Sequence, residues 1–378
     1  MIYNDFHGEK LSALGLGCMR LPTIDGDDSR PDFDKTAEMV DYAISHGINY
    51  FDTAWGYHAG NSELAVTNAL KNYPRESYKL ADKFPGYDLA NIPKVKEIFE
   101  KQLEKCGVEY FDFYLFHNVC EMNINEYLDP KYGIFDYLIE QKKNGRIRHL
   151  GFSAHGAMPV LKRFVEAYGE HMEFGQLQVN WVDWRFQGAR EKVKYYTEHG
   201  IPIWVMEPVR GGKLANLSEK YAAILKKLRP EASPAEWAFR FLQTQPEIKV
   251  TLSGMSNFEQ LKENIAVYEK SKPLSDKELA VLDGIVTEMI EGSLTVPCTA
   301  CRYCTTHCPQ GLPIPDLLEL YNEHKFTGGG FIAPMALGAF AEDKKPTACI
   351  GCRSCEAVCP QQIKISETMA DFVKMLGT

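Results

Sequence analysis

Toward its C-terminus the chain writes one cysteine pattern twice, as Cys298-x-x-Cys301-x-x-Cys304-x-x-x-Cys308-Pro309 and as Cys349-x-x-Cys352-x-x-Cys355-x-x-x-Cys359-Pro360. These two runs take all but three of the 11 cysteines. Three thiolates at successive two-residue gaps can wrap three irons of one 4Fe-4S cube. The fourth, followed by proline, characteristically reaches across to a second cube. One ligand set is therefore Cys298, Cys301, Cys304 and Cys359, and the other is Cys349, Cys352, Cys355 and Cys308. Structural zinc would need two ligand pairs rather than a four-cysteine run, and disulfides do not suit a reducing compartment. Cys18, Cys106 and Cys120 lack such company and read as small hydrophobic or incidental residues.

At 378 residues the chain exceeds what one hydrophobic core usually serves, so a large domain plus a smaller one is expected. The composition shift puts the boundary near Gly292, giving domains 1–291 and 292–378 with residues 292–297 as the linker. Charge argues about partners. With 51 acidic against 42 basic side chains the net charge is -9, so neither nucleic acid nor an anionic membrane is an expected partner. Met1 to Lys10 is polar, without the apolar core of a secretory signal, and no stretch reaches membrane-spanning length. Together with thiols reserved for metal, this predicts a cytoplasmic location.

Upstream of the cysteines, short apolar runs alternate with amphipathic segments. Strands are expected at Ala13–Gly17, Tyr50–Asp52, Lys79–Lys83, Phe113–His117, His149–Ser153, Gly175–Val179, Ile201–Met206 and Lys249–Leu252. Helical patterns such as Phe33–His46 and Ile92–Cys106 separate them, and two more follow the last strand at Ser256–Lys270 and Ser275–Glu291. Eight strands alternating with helices predict an α/β fold, an eight-fold β/α (TIM) barrel. Asp52, Lys83, His117, Ser153 and Glu207 then stand at C-terminal strand ends, where barrel enzymes place their chemistry. Helix-like stretches at Asp316–His324 and Phe331–Glu342 make the second domain smaller and mainly α-helical.

The cysteine runs are the bacterial ferredoxin signature, and their long separation resembles the helical ferredoxin modules of multi-subunit reductases. In the first domain, Gly47-Ile-Asn-Tyr-Phe-Asp52-Thr-Ala-Trp-Gly-Tyr57 followed by Asn61-Ser62-Glu63 resembles the aldo/keto reductase signature. Leu80-Ala-Asp-Lys83, Asp112-Phe-Tyr-Leu-Phe-His117 and Arg146-Ile-Arg-His-Leu-Gly-Phe-Ser153 match later blocks of that family in order, so the resemblance covers roughly residues 10 to 290. It implies a catalytic tetrad of Asp52, Tyr57, Lys83 and His117. Hydride arrival at a carbonyl carbon develops an alkoxide that needs a proton. Tyr57 is the expected acid, tuned downward by the Lys83 ammonium; Asp52 holds Lys83 and His117 orients the carbonyl.

The same resemblance implies a nicotinamide site. Ser153 and Gln176 would bond the carboxamide, although Ala154 and then His155 follow the serine where an asparagine is usual. Met206 stands where many relatives stack an aromatic on the ring. Arg210, Gly211 and Gly212 suit a pyrophosphate. Gly254 and Gln260 occupy positions where NADPH-dependent members carry Lys and Arg, and Asn264 completes the block, so a preference for NADPH over NADH does not follow.

The expected function is hydride transfer between NAD(P)H and a small carbonyl or related unsaturated substrate, coupled through two 4Fe-4S clusters to a one-electron donor or acceptor protein. Clusters pass single electrons and nicotinamides pass hydrides, so an FMN-binding barrel that bridges the two is the second reading. A redox-sensing or electron-carrying protein with little turnover is the third, and the intact tetrad argues against it.

Overall fold

The computed structural model describes residues 1–292, 295–298, 301–302 and 304–377. The chain packs as two compact units, Met1–Asp283 and Gly284–Thr378.

The first unit opens with an antiparallel hairpin, β1 (Tyr3–Phe6) and β2 (Glu9–Ser12). Eight parallel strands follow: β3 (Leu14–Gly17), β4 (Tyr50–Asp52), β5 (Lys79–Phe84), β6 (Phe111–Val119), β7 (Ile147–Ala154), β8 (Phe174–Gln178), β9 (Ile203–Met206) and β10 (Ile248–Ser253). They close in the order β10-β3-β4-β5-β6-β7-β8-β9, with β9 pairing β10, which is the expected barrel. Because both faces of such strands are covered, they read as nearly unbroken apolar runs, and Phe113, Tyr114, Leu115 and Phe116 are all fully buried. The intervening helices are one-sided. The helix Phe33–Ser45 buries Thr36, Met39, Val40 and Ala43, and its Asp32 cap accepts from the Lys35 N–H.

The hairpin was not expected, since its polar composition hides two core residues, Phe6 and Leu11. Phe6 packs 5.0 Å from Trp204 and 5.7 Å from Phe113 between ring centroids, closing the barrel core together with Tyr50, Phe174 and Val250. It covers residues near the strand starts and leaves the C-terminal strand ends to the loops.

The helix Asp276–Gly292 runs through the point where the two units divide, and it ends where the linker was expected to begin. Residues 293 and 294 of that linker lie outside the described residues. In the second unit the helices Ile314–Thr327 and Ile365–Leu376 pack through Leu317, Leu318, Tyr321, Met369 and Phe372. The segment expected as a helix over Phe331–Glu342 is shorter, Ile332–Leu337. No helix among the described residues is long and apolar enough to cross a membrane.

Candidate functional site

Strand register brings three residues of the expected tetrad together. Asp52, the last residue of β4, lies beside Ala81 of β5, so Lys83, two residues on, projects from the same face. Lys83 in turn lies beside Leu115 of β6, two residues before His117. One extra residue is inserted in β6 between Phe116 and Val119, and Asn118 there takes a left-handed conformation at φ 57°. Such a bulge re-aims the adjacent side chain, here His117. Tyr57 arrives from the loop after β4, in a tight turn over Tyr57–Gly60.

Lys83 Nζ donates to Asp52 Oδ1 at 2.5 Å and to the Thr53 carbonyl at 2.6 Å, with Lys83 and Asp52 only 1% and 3% exposed. The same ammonium lies 4.9 Å from the Tyr57 ring centroid, and the Tyr57 and His117 rings meet edge to face at 5.9 Å. Burial favours a neutral amine, but Asp52 and Tyr57 outweigh it and hold Lys83 charged, above its ordinary value. Burial likewise pushes the Asp52 carboxyl up, and its bond to Lys83 opposes this. Tyr57 corrects the expectation in one respect: burial raises its phenol above the ordinary value, and the downward pull of Lys83 only partly offsets that. Burial, helped by the Lys83 charge, holds His117 well below the ordinary imidazole range, so it is neutral near pH 7.

The expected cofactor residues divide. Ser153 and Gln176 are adjacent across β7 and β8. Ser153 Oγ accepts the Asn118 N–H at 2.8 Å, whereas the buried Gln176 Oε1 has no hydrogen-bond partner. A buried acceptor of this kind suits the amide N–H of a nicotinamide. Half-buried Met206 ends β9 beside Gln178. Gly211 and Gly212 form a turn with φ of 62° and 90° that a side chain would strain. Arg210 is already engaged, its Nε 3.0 Å from both carboxylate oxygens of the buried Asp183. Gln260 belongs to the start of the helix Phe258–Glu269: its N–H donates to Asn257 Oδ1, and its Oε1 accepts the Ser256 N–H at 2.8 Å. Asn264 Nδ2 donates to Ser253 Oγ at 3.0 Å. Gly254 has no room for a side chain, because Arg20 Cβ and Cγ lie 2.8 Å from where its Cβ would stand.

Several residues here escaped sequence reading. Arg20 comes from the far end of the chain, Asp183 follows β8, and Tyr87 places its ring edge to face with His117 at 5.0 Å. The only sequence signal for Tyr87 was its position in the loop after Lys83.

In the second unit the eight cysteines of the two runs converge on two cavities. One is lined by Cys298, Cys301, Cys304 and Cys359, and the other by Cys308, Cys349, Cys352 and Cys355. Each cavity thus takes three thiols from one run and the last thiol of the other. The duplication extends to the backbone, where Arg302 and Arg353, each following the second cysteine of its run, have φ of 64° and 62°. An all-sulfur donor set around an apolar cavity is chemically suited to an iron–sulfur cube.

The sequence matches the aldo/keto reductase family over residues 13–287 and the 4Fe-4S dicluster domain over residues 297–364. A probable aldo-keto reductase from Glycine max is 27% identical over 309 residues, spanning 72% of this chain and 84% of its own. The NADH-specific methylglyoxal reductase of Escherichia coli is 25% identical, spanning 72% and 94%. Among solved structures, an aldo-keto reductase from Bacillus halodurans superposes with a TM-score of 0.62 at 25% identity, covering 75% of this chain and 96% of that one. The family match covers most of the chain and the barrel agrees with it: this protein belongs to the aldo/keto reductases and carries a C-terminal 4Fe-4S dicluster domain.

Proposed function

We propose that the barrel, residues 1–291, reduces a small carbonyl or related unsaturated compound with a nicotinamide cofactor, and that residues 292–378 hold two 4Fe-4S clusters serving a one-electron partner protein in a reducing cytoplasm. The observation that carries this reading is the buried Lys83–Asp52 pair set under the Tyr57 ring, with neutral His117 beside it.

When bound, a nicotinamide would supply a hydride to the carbonyl carbon, and clusters held by the eight cysteines would exchange single electrons with the partner protein. Tyr57 gives the oxygen its proton as negative charge develops there. Because burial leaves the free phenol a weak acid, the nearby Lys83 charge acts most strongly when Tyr57 becomes phenolate. Asp52 fixes the ammonium beneath the ring, and neutral His117 can bond the carbonyl without placing a second cation beside Lys83. Ser153 and Gln176 are the candidates for the carboxamide, Met206 for the ring face, and the Gly211–Gly212 turn for phosphate oxygens. The uncharged Gly254 and Gln260, and a relative named for NADH-specific reduction, favour a coenzyme site with little demand for the 2'-phosphate.

The test uses the full chain purified without oxygen. It should contain about eight irons and eight acid-labile sulfides, one cube per cavity. Tyr57→Phe should lower the reduction rate of a simple aldehyde by about 100-fold while leaving coenzyme affinity unchanged. Undiminished turnover would remove Tyr57 as proton donor, and about four irons, or zinc in their place, would remove the two-cluster assignment.

A further inference from the structure

Tyr57 is delivered by a backbone that would not hold itself in place. Directly after it, His58 (φ 52°, ψ 45°), Ala59 (φ 53°, ψ 31°) and Gly60 (φ 88°) lie consecutively in the left-handed region. A Cβ crowds the next carbonyl in that conformation, so non-glycine residues persist in it only where their surroundings over-determine them.

Two fastenings do so here. At the first, His58 is 2% exposed, its Nε2 accepts the Leu21 N–H at 3.1 Å, and its Nδ1 lies 2.8 Å from the Asp28 carbonyl oxygen. With Nε2 accepting, the ring proton sits on Nδ1 and is donated to Asp28. Asn61 Nδ2 extends this fastening to the Ser29 carbonyl at 2.9 Å.

At the second, Lys105 Nζ donates to the Gly60 carbonyl at 2.8 Å, pairs with the buried Glu63 carboxylate and lies 4.7 Å from the Trp55 ring centroid. It therefore grips the chain on both sides of Tyr57. One turn earlier on the same helix, Val95–Cys106, Gln102 Nε2 donates to Glu63 Oε1 at 3.3 Å and to the Lys83 carbonyl at 3.1 Å. A single helix face thus references the Tyr57 turn and the Lys83 strand to each other.

We propose that Glu63 and Lys105, with His58 opposite them, are positioning residues that hold Tyr57 over Lys83 by locking a strained left-handed turn. The proposal rests on the reading of Tyr57 as proton donor. Removing Lys105 alone would leave the buried Glu63 carboxylate without its ammonium and endanger folding. The variant of choice is therefore Glu63→Gln/Lys105→Met in the full, cluster-loaded chain. Its kcat for aldehyde reduction should fall about 100-fold with KM changed less than about threefold, since a displacement of roughly 1 Å costs that much in rate. In its crystal structure the Tyr57 ring should have moved from its position 4.9 Å from Lys83 Nζ. Adding Ala59→Gly should recover about tenfold in kcat, because glycine enters the left-handed region without strain. A merely structural role would lower the unfolding midpoint and leave ring position and rate per folded molecule alone. An unmoved ring with kcat within about threefold of wild type, or no recovery on adding Ala59→Gly, overturns the proposal. Should the wild-type chain reduce no carbonyl at all, the activity reading fails, and the ring position in the variant crystals still decides the latch.

Discussion

The barrel and the cysteine unit hold their reactive groups in opposite ways. In the barrel, Lys83 and Asp52 neutralise each other inside the protein, and the site is shaped by eight strands whose packing needs no guest. In the second unit Cys301 and Cys352 are exposed, four more cysteines are half-buried, and only Cys304 and Cys355 are buried. Burial pushes these last two thiols up to about 11, and the neighbouring thiols of the same cavity push the same way. Four sulfur donors around each cavity suit a metal cluster, whose charge would draw the thiols to thiolates. The lesson is that one site is a product of packing, whereas the geometry of the other is completed by what it binds.

The largest test of that contrast is removal of iron. Stripping the clusters under anaerobic conditions should abolish the cooperative unfolding of the C-terminal unit while the barrel transition remains, as read by calorimetry with and without reconstitution. A C-terminal transition that survives unchanged would break the comparison.

Within the barrel, Lys83→Met should cost about 3–5 kcal/mol in urea unfolding, because it strands a buried carboxylate. Asp52→Asn in the same background should return much of this. Equal losses in the single and double variants would mean that packing, rather than pairing, holds this part of the site.

A smaller effect is expected with pH. Burial, with the Lys192 charge adding to it, holds His155 down to about 4, and His117 is also depressed, so both resist protonation in the folded barrel while the unfolded chain accepts protons. Above the ordinary value of about 6.5 both states are neutral and nothing is lost. Between there and about 4, barrel stability should fall as pH falls. His155→Gln should flatten that slope, and an unchanged slope would assign it to other groups.

The smallest expected effect concerns the coenzyme. With glycine and glutamine at residues 254 and 260, NADH and NADPH should bind within about tenfold of each other, since a charged phosphate contact is what would separate them. A stronger preference for NADPH would point to Arg20, the cation packed against Gly254.

Each of the eight barrel strands was legible because parallel strands buried on both faces must be apolar along their length, and β4 matches its expected span of Tyr50–Asp52. The cysteine sets were legible for a different reason: ligand spacing around a cube is local, so six of the eight thiols are grouped by short-range sequence alone. The hairpin escaped because Phe6 and Leu11 are isolated apolar residues in a polar stretch, and the value of Phe6 appears only when Trp204 and Phe113 are brought beneath it.

By itself the sequence determined the chemistry on offer, namely which residue types stand at strand ends and how many thiols can share a cube. What only the tertiary structure decided is how those groups are biased and held. Burial, which depends on the whole barrel, raises Tyr57 more than Lys83 lowers it. Asp183 claims Arg210, and Lys105 grips the turn that carries Tyr57, through contacts between residues tens of positions apart. Spacing along the chain carries no record of such pairs, because closing the barrel is what sets the distance between them.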